Sequence, residues 1–251
     1  MDFSGRVAVI TGGADGIGLG AAQAFKERNA DVVIADIDTD KLAAASLQLD
    51  VTPVTCDVRL DADVSALCDI ATALGPVDVV MANAGVALGG RFEKIPMSEW
   101  QRLFDVNVMG AARTVNAFLP EMIERKKGTI IITGSSAGLF KSNGMNAPYA
   151  SSKYALQGMA KALAVYCRPL GIQVHYLAPR MTDTAFPRSS VAWGHKGSRV
   201  TSDVDIGSDF DTVADVISAL FKGIEANQFL ISLTEDTKEQ LAAFADSLSP
   251  F

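Results

Sequence analysis

The chain has 251 residues, 49% of them hydrophobic, which suits one large α/β domain over 1–251 better than two small ones. A formal charge of −7 argues against a nucleic-acid surface, because phosphate binding needs a concentrated positive field. Three scattered cysteines, Cys56, Cys68 and Cys167, make neither a disulfide framework nor a four-thiolate metal site, and no basic leader or run of about 18 apolar residues occurs, so a cytoplasmic protein with reduced thiols is expected.

Residues 7–10, Val-Ala-Val-Ile, form an apolar run that stops at a glycine cluster and reads as a buried strand ending in a tight turn. An amphipathic run, 19–28, follows at once. Strand, turn and helix in that order place unpaired backbone N–H groups and the positive end of a helix dipole where a phosphate can sit. The glycines fall at Gly12, Gly16 and Gly18, a G-x-x-x-G-x-G spacing that differs from the common G-x-G-x-x-G dinucleotide fingerprint. Residues 31–36 read as a second strand closing on Asp36, where a carboxylate can hold the two ribose hydroxyls of an adenosine. A 2′-phosphate there faces Asp36, Asp15 and Asp38 with no Arg or Lys expected beside them, so NAD is favoured over NADP.

Further along, 39–49 reads as helix, 51–56 as a strand closing on Asp57-Val58, 61–74 as helix, and 77–82 as a fourth strand running into Asn83-Ala84-Gly85. Ligands of open parallel sheets collect at that carboxyl edge. Residues 96–125 form a long helical pattern that Pro120 interrupts and can bend; it carries Asn107, which by itself reads as a capping or bending asparagine. A fifth strand, 128–133, ends in Gly134-Ser135-Ser136-Ala137-Gly138. On the next helix, 148–167, Tyr149 and Lys153 stand at i and i+4 and share a face. Residues 170–178 supply a sixth strand, 181–210 an aperiodic stretch that reads as a substrate lid, 211–225 a helix, 228–232 a last strand and 235–248 an amphipathic tail. His175 and His195 lack metal-ligand spacing, and no metal is expected.

Taken together, Thr11-Gly12-x-x-x-Gly16-Ile17-Gly18, Asn83-Ala84-Gly85, the Asn107 segment, the serine-ended fifth strand and Tyr149-x-x-x-Lys153 resemble, in that order, the motifs of the short-chain dehydrogenase/reductase family. The likeness covers residues 5 to about 184 well and the remainder in outline. It implies a Rossmann-type doubly wound parallel sheet, seven strands in the order 3-2-1-4-5-6-7 with helices on both faces. By the same resemblance the protein is an NAD-dependent oxidoreductase that interconverts a secondary alcohol and its ketone, with Asn107, Ser135, Tyr149 and Lys153 as catalytic residues. Cofactor contacts carried over are Gly12, Asp15, Gly16, Ile17 and Gly18 at the turn, Asp36, Asp57 and Val58 toward the adenosine, Asn83, Ala84 and Gly85, then Tyr149 and Lys153, and Thr182 and Thr184 at the nicotinamide carboxamide. Family members are commonly homotetramers, and helices 96–125 and 148–167 would supply a dimer face. A sensor that binds the cofactor without turnover, and an epimerase or dehydratase that recycles it, are the competing classes.

A phenol with a pKa of about 10 is a poor base at neutral pH, and an ammonium one helical turn away stabilises its anion by Coulomb attraction. With a serine hydroxyl on the substrate oxygen, the phenol can take a proton from an alcohol as its carbinol carbon passes a hydride to the nicotinamide. Two departures from the family pattern stand out. Counting three back from Gly138 gives Ser135 as the active hydroxyl, which we adopt, whereas counting thirteen back from Tyr149 gives Ser136. Arg180 replaces the family's glycine after Pro179, and with Lys141, Arg188, Lys196 and Arg199 it reads either as an anchor for a substrate anion or as a solvated loop cation paired to Asp183.

Overall fold

Strands that are apolar along their whole length, with no polar alternation, must be covered on both faces, and that is how this chain uses them. The computed structural model describes residues 1–139, 144–184, 186, 191–193, 199–201, 210–233 and 239, with 191–193 and 199–201 described by their backbone. Seven strands form one parallel sheet: β1 (Val7–Thr11), β2 (Asp31–Asp36), β3 (Thr52–Thr55), β4 (Val77–Ala82), β6 (Gly128–Thr133), β7 (Ile172–Leu177) and β10 (Leu230–Ile231), numbered in a series that includes three short strands given below. Their spatial order is β3-β2-β1-β4-β6-β7-β10, the expected 3-2-1-4-5-6-7. Pro53 lies in β3, at the sheet edge, where a missing N–H is tolerated.

Alternate residues of each strand feed two cores. Val7 and Val9 join Leu67, Phe118 and Leu156 on the face covered by α3 (Asp61–Leu74), α5 (Ala111–Arg125) and α6 (Ala147–Cys167). Ala8 and Ile10 join Phe25, Leu42 and Leu220 on the face covered by α1 (Gly16–Lys26), α2 (Thr39–Leu49) and α7 (Val213–Glu225). In β4 the alternation slips between its pairings Val7↔Val77 and Ala8↔Val79, which sets Asp78 aside. That carboxylate is buried and is held by Arg125 at 3.4 Å and Lys127 at 2.8 Å.

The long pattern expected over 96–125 divides into α4 (Met97–Phe104), a six-residue π-helical segment (Asp105–Gly110) and α5. Pro120 lies inside α5 and does not end it. The stretch expected to be aperiodic contains two short strands. β8 (Val191–Trp193) pairs in parallel with β5 (Leu88–Gly90) just beyond β4, and antiparallel with β9 (Arg199–Thr201), so a second three-stranded sheet joins these pieces of 181–210 to the exit of β4. The predicted tail helix 235–248, apart from Glu239, lies outside the described residues, as do Lys141, Arg188, His195, Lys196 and much of the stretch 181–210 that the sequence suggests as a lid. Among the described residues no helix is long and apolar enough to cross a membrane, and no group of three or more His, Cys, Asp or Glu is placed to hold a metal ion.

On the α1 face, Phe3, Phe25 and Phe221 meet edge to face, with centroid separations of 5.1 Å for Phe3–Phe25 and 4.9 Å for Phe25–Phe221. Phe25 is fully buried. Replacing it by alanine should cost about 3–5 kcal/mol by opening a cavity under α1; urea midpoints of Phe25→Ala and the native chain check this, and a loss under about 1 kcal/mol would mean the cluster collapses into the gap.

Candidate active site

In the strand order, β1 is followed by β2 and β3 on one side while β4 lies on its other side, so a crevice opens at the carboxyl ends of β1 and β4. The glycine turn sits there. Gly12 and Gly16 have φ of +63° and +53°, and a Cβ at Gly18 would stand 2.0 Å from the Gly12 carbonyl oxygen. The chain approaches itself as only glycine allows, leaving bare backbone at the start of α1. Asp15 caps α1, its carboxylate accepting from Gly16 N–H at 2.6 Å. Asp36, at the end of β2, accepts from Ala14 N–H at 3.3 Å and Asp38 N–H at 3.1 Å, so this carboxylate is built into the wall of the turn. Thr184 packs against Gly16, 3.1 Å from where its Cβ would be. An N-terminal helix dipole over unobstructed backbone, with a carboxylate beside it, fits the diphosphate and ribose of a dinucleotide.

One cation was missed in the sequence. Lys41 reaches back from the first turn of α2 to Asp15, 2.6 Å away, and its hydrogen bond to Asp15, with the charges of Asp15, Asp38 and Asp36, holds its pKa above the usual lysine value. The expectation that no Lys lies beside these acids is therefore corrected. Its physical cause is the N-cap of α2: Asp38 accepts from Lys41 N–H at 3.1 Å and turns that residue toward the glycine turn. A basic residue in the first turn of a helix that starts beside an acidic strand end is the signal that would have found it.

Asn83 secures the crevice. Its side-chain amide donates to the carbonyls of Thr11 and Gly12, both at 3.1 Å, while Asn83 N–H and Ala84 N–H donate to the Thr11 hydroxyl at 3.1 and 3.3 Å. Gly85 lies near Asn107, whose Oδ1 is 3.4 Å from where its Cβ would be. Asp57 is clamped by Arg59 through two hydrogen bonds from Nε, at 2.9 and 3.0 Å, and one from the other end of the guanidinium, which holds its carboxyl below the usual range. Val58 is buried beneath Gly110 of the π segment.

The wider π turn aims Asn107 inward, where it is almost fully buried. Its amide accepts from Val86 N–H at 2.8 Å and donates to Val86 C=O at 3.0 Å and to Ser152 Oγ at 3.1 Å. Ser152 in turn donates to the Tyr149 carbonyl at 2.7 Å. The side chain of Asn107 thus joins the β4 exit to α6 beside Tyr149 and Lys153. Ser135 caps a short 3₁₀ turn (Ser136–Gly138) by accepting from Ala137 N–H at 3.1 Å, and it is hydrogen-bonded to the Tyr149 phenol. Ser136 donates its N–H to Pro179 C=O at 2.9 Å.

Lys153 is 4% exposed; its ammonium donates to the Thr133 carbonyl at 3.0 Å and lies 5.6 Å from the centre of the Tyr149 ring. Burial pushes the Tyr149 phenol up to about 12 against the hydrogen bond from Ser135, and burial brings the Lys153 amine down to about 8. Desolvation is the largest influence on both groups. Ser135, Tyr149 and Lys153 form one cluster, and Asn107 reaches it through Ser152.

At the exit of β7, Arg180 donates to Asp211 at 2.6 and 3.2 Å, a two-point pair with a carboxylate that is 7% exposed. The Thr182 hydroxyl donates to Arg180 C=O at 3.2 Å, and Thr184 accepts from Phe186 N–H at 3.3 Å. His175 is buried in β7 with Nδ1 2.6 Å from Gln228 C=O, a structural placement away from the cluster.

A lysine held at about 8 when folded and near 10.4 when unfolded binds fewer protons in the folded state between those values, so stability should rise with pH across that window. Above about pH 10 the phenol of the half-buried Tyr149, held at about 12, acts in the opposite sense. Lys153→Met should remove about 2 kcal/mol of the rise between about pH 8 and about pH 10; parallel urea curves for variant and native chain would refute it.

A family model described as short chain dehydrogenase matches residues 6–194. The chain is 30% identical over 249 residues to 1-deoxy-11-beta-hydroxypentalenate dehydrogenase of Streptomyces exfoliatus, covering 96% of this chain and 87% of that protein. It is 34% identical over 183 residues to 3-alpha-(or 20-beta)-hydroxysteroid dehydrogenase of Mycobacterium bovis, covering 72% and 70%. A short chain dehydrogenase/reductase of Burkholderia phymatum, solved in complex with NAD, superposes with a TM-score of 0.86 at 27% identity, covering 99% of this chain and 95% of that one. The chain belongs to the short-chain dehydrogenase/reductase family of oxidoreductases, whose fold binds a nicotinamide cofactor.

Proposed function

We propose that the protein interconverts a secondary alcohol and its ketone with NAD, Tyr149 carrying the proton. The observation that supports this most is the Ser135–Tyr149 hydrogen bond with the buried Lys153 ammonium over the phenol ring, at the same sheet edge as the glycine turn. When bound, the nicotinamide cofactor would supply the hydride acceptor or donor. Tyr149 takes the substrate hydroxyl proton in oxidation and returns it in reduction, and Ser135 holds the substrate oxygen. Lys153 contributes the positive charge that a phenol otherwise held at about 12 needs in order to ionise. Asn107 acts as a positioning residue, since its amide is engaged by Val86 and Ser152.

For the cofactor we assign Gly12, Asp15, Gly16, Ile17 and Gly18 to the diphosphate, Asp36 to the adenosine ribose and Asp57 with Val58 to the adenine end. Asn83, Ala84 and Gly85 carry the crevice wall, and Thr182 and Thr184 face the nicotinamide end. NAD is preferred because a 2′-phosphate would meet the Asp36 carboxylate, while the Lys41 ammonium is already engaged by Asp15. Arg180 serves as a clamp through Asp211 rather than as an anchor for a substrate anion. Exposed apolar residues on α6, Val165 and Tyr166, support a homotetramer built on α5 and α6, and the free thiols suit the cytoplasm.

A panel of secondary alcohols with NAD and NADP, followed at the NADH absorbance band, tests the reading. Turnover should fall by at least about 100-fold in Tyr149→Phe and in Ser135→Ala, and much less in Ser136→Ala. A Ser135→Ala enzyme with native kcat would move the active hydroxyl to Ser136, and no turnover of any alcohol or ketone would remove the redox reading. Asp36→Asn should narrow the NAD-over-NADP ratio of kcat/KM by about tenfold, which is about 1.4 kcal/mol of discrimination; an unchanged ratio would exonerate Asp36.

A further inference from the structure

β7 reads Ile-Gln-Val-His-Tyr-Leu, and its Tyr176 is a fully buried residue facing the α6 layer. A buried aromatic that only fills volume needs no hydroxyl, and a phenol in such a place costs free energy unless its oxygen is satisfied. Here it is satisfied by the backbones of two residues of the reactive cluster. The hydroxyl donates to the Lys153 carbonyl at 3.1 Å, and its oxygen is hydrogen-bonded to the backbone of Ser135. Space for the ring comes from two missing side chains. A Cβ at Gly134 would lie 2.0 Å from Tyr176 Cζ, and one at Gly138 would lie 2.7 Å from its hydroxyl and 2.6 Å from the Lys153 carbonyl. The glycines flanking the serine turn are thus the counterpart of this ring.

We infer that Tyr176 is a positioning residue of the active site: its phenol fastens the Ser135 backbone to α6 at Lys153 and so fixes where the Ser135 hydroxyl stands relative to Tyr149. The inference rests on the proposed roles of Ser135 and Tyr149. Without the hydroxyl, the turn would keep its ties to the β7 exit, Gly134 N–H on Leu177 C=O at 2.7 Å and Ser136 N–H on Pro179 C=O at 2.9 Å, but would lose this tie to α6, and a reacting group displaced by about 1 Å loses rate out of proportion to the shift. Among the described residues, the ionisable side chains that bear on this phenol are Tyr149 and Tyr154, both on α6.

Tyr176→Phe removes one oxygen and keeps the ring, so the core stays filled and the fold is retained. In the full chain with NAD and an alcohol substrate, kcat should fall about tenfold or more while the KM for NAD stays within about twofold. The acid limb of kcat against pH should move upward, because Tyr149 loses part of the hydrogen bond from Ser135 that lowers its pKa. Amide hydrogen exchange at 135–138 should quicken in the same variant, a readout that needs no turnover. Native kcat, a superimposable pH profile and unchanged exchange would each overturn the inference while leaving the redox reading intact. An inactive native chain whose 135–138 amides nonetheless exchange faster in Tyr176→Phe would sink the redox reading and keep the fastening.

Discussion

Two parallel strands that part company leave backbone donors and acceptors facing each other too far apart to pair, and at the carboxyl ends of β1 and β4 the Asn83 side chain and the Thr11 hydroxyl occupy that gap. The Asn83 amide donates to two carbonyls of the β1 exit, and the Thr11 oxygen receives two N–H groups of the β4 exit. Each of these groups would otherwise be stranded in a partly buried place, at a cost of roughly 1–3 kcal/mol apiece. The width of the crevice is therefore set by the reach of one amide. The rest follows from it: Gly12 lies against Ala84 because nothing thicker than a glycine fits there, and the start of α1 points its backbone into the opening.

Burial governs the electrostatics of the cluster. The phenol of Tyr149 is driven up to about 12 and the amine of Lys153 down to about 8, so each group is pushed toward its neutral form. The Thr133 carbonyl on Lys153 and the Ser135 hydroxyl on Tyr149 are the polar contacts that offset this desolvation. Occupants that bring charge or hydroxyl groups into that pocket change the balance for both residues at once, since the two share one face of α6.

Much of this was legible in the residues. Apolar runs such as 7–10 and 77–82 announce buried strands by their lack of alternation, and the glycine spacing and the Tyr149–Lys153 interval are local features that survive in a linear reading. What escaped depends on distant pieces meeting. Lys41 could not be placed beside Asp15 without knowing how the Asp38 cap turns α2. Asn107 taken by itself reads as a capping residue, and only the family resemblance marked it for the site, because π geometry leaves no periodic trace; six residues in that form rotate its amide toward Val86 and Ser152. Tyr176 was lost inside a strand that any apolar residue would satisfy; its meaning lies in Gly134 and Gly138, which reach the same space from another strand's exit.

The stretch after β7 was the least readable, and the reason is energetic as well as local. Holding a long excursion in one place requires that its ends be brought together, a cost that grows only slowly with length, so a few strong ties suffice where periodic packing is absent. Arg180 and Asp211 make one such tie, and the Thr182↔Asp211 bridge with the Asp183 N–H on Asp211 C=O reinforces it. Pairing of β8 with β5 makes a second, in the middle of the excursion. An arginine that in sequence suggests a binding partner outside the chain is thus claimed from within it. Its carboxylate partner lies 31 residues further on and is nearly buried, while the guanidinium is about one third exposed, so removing Arg180 would leave a desolvated carboxylate without its two-point donor. Neither end of that tie carries a local pattern, which is why only the folded chain reveals it.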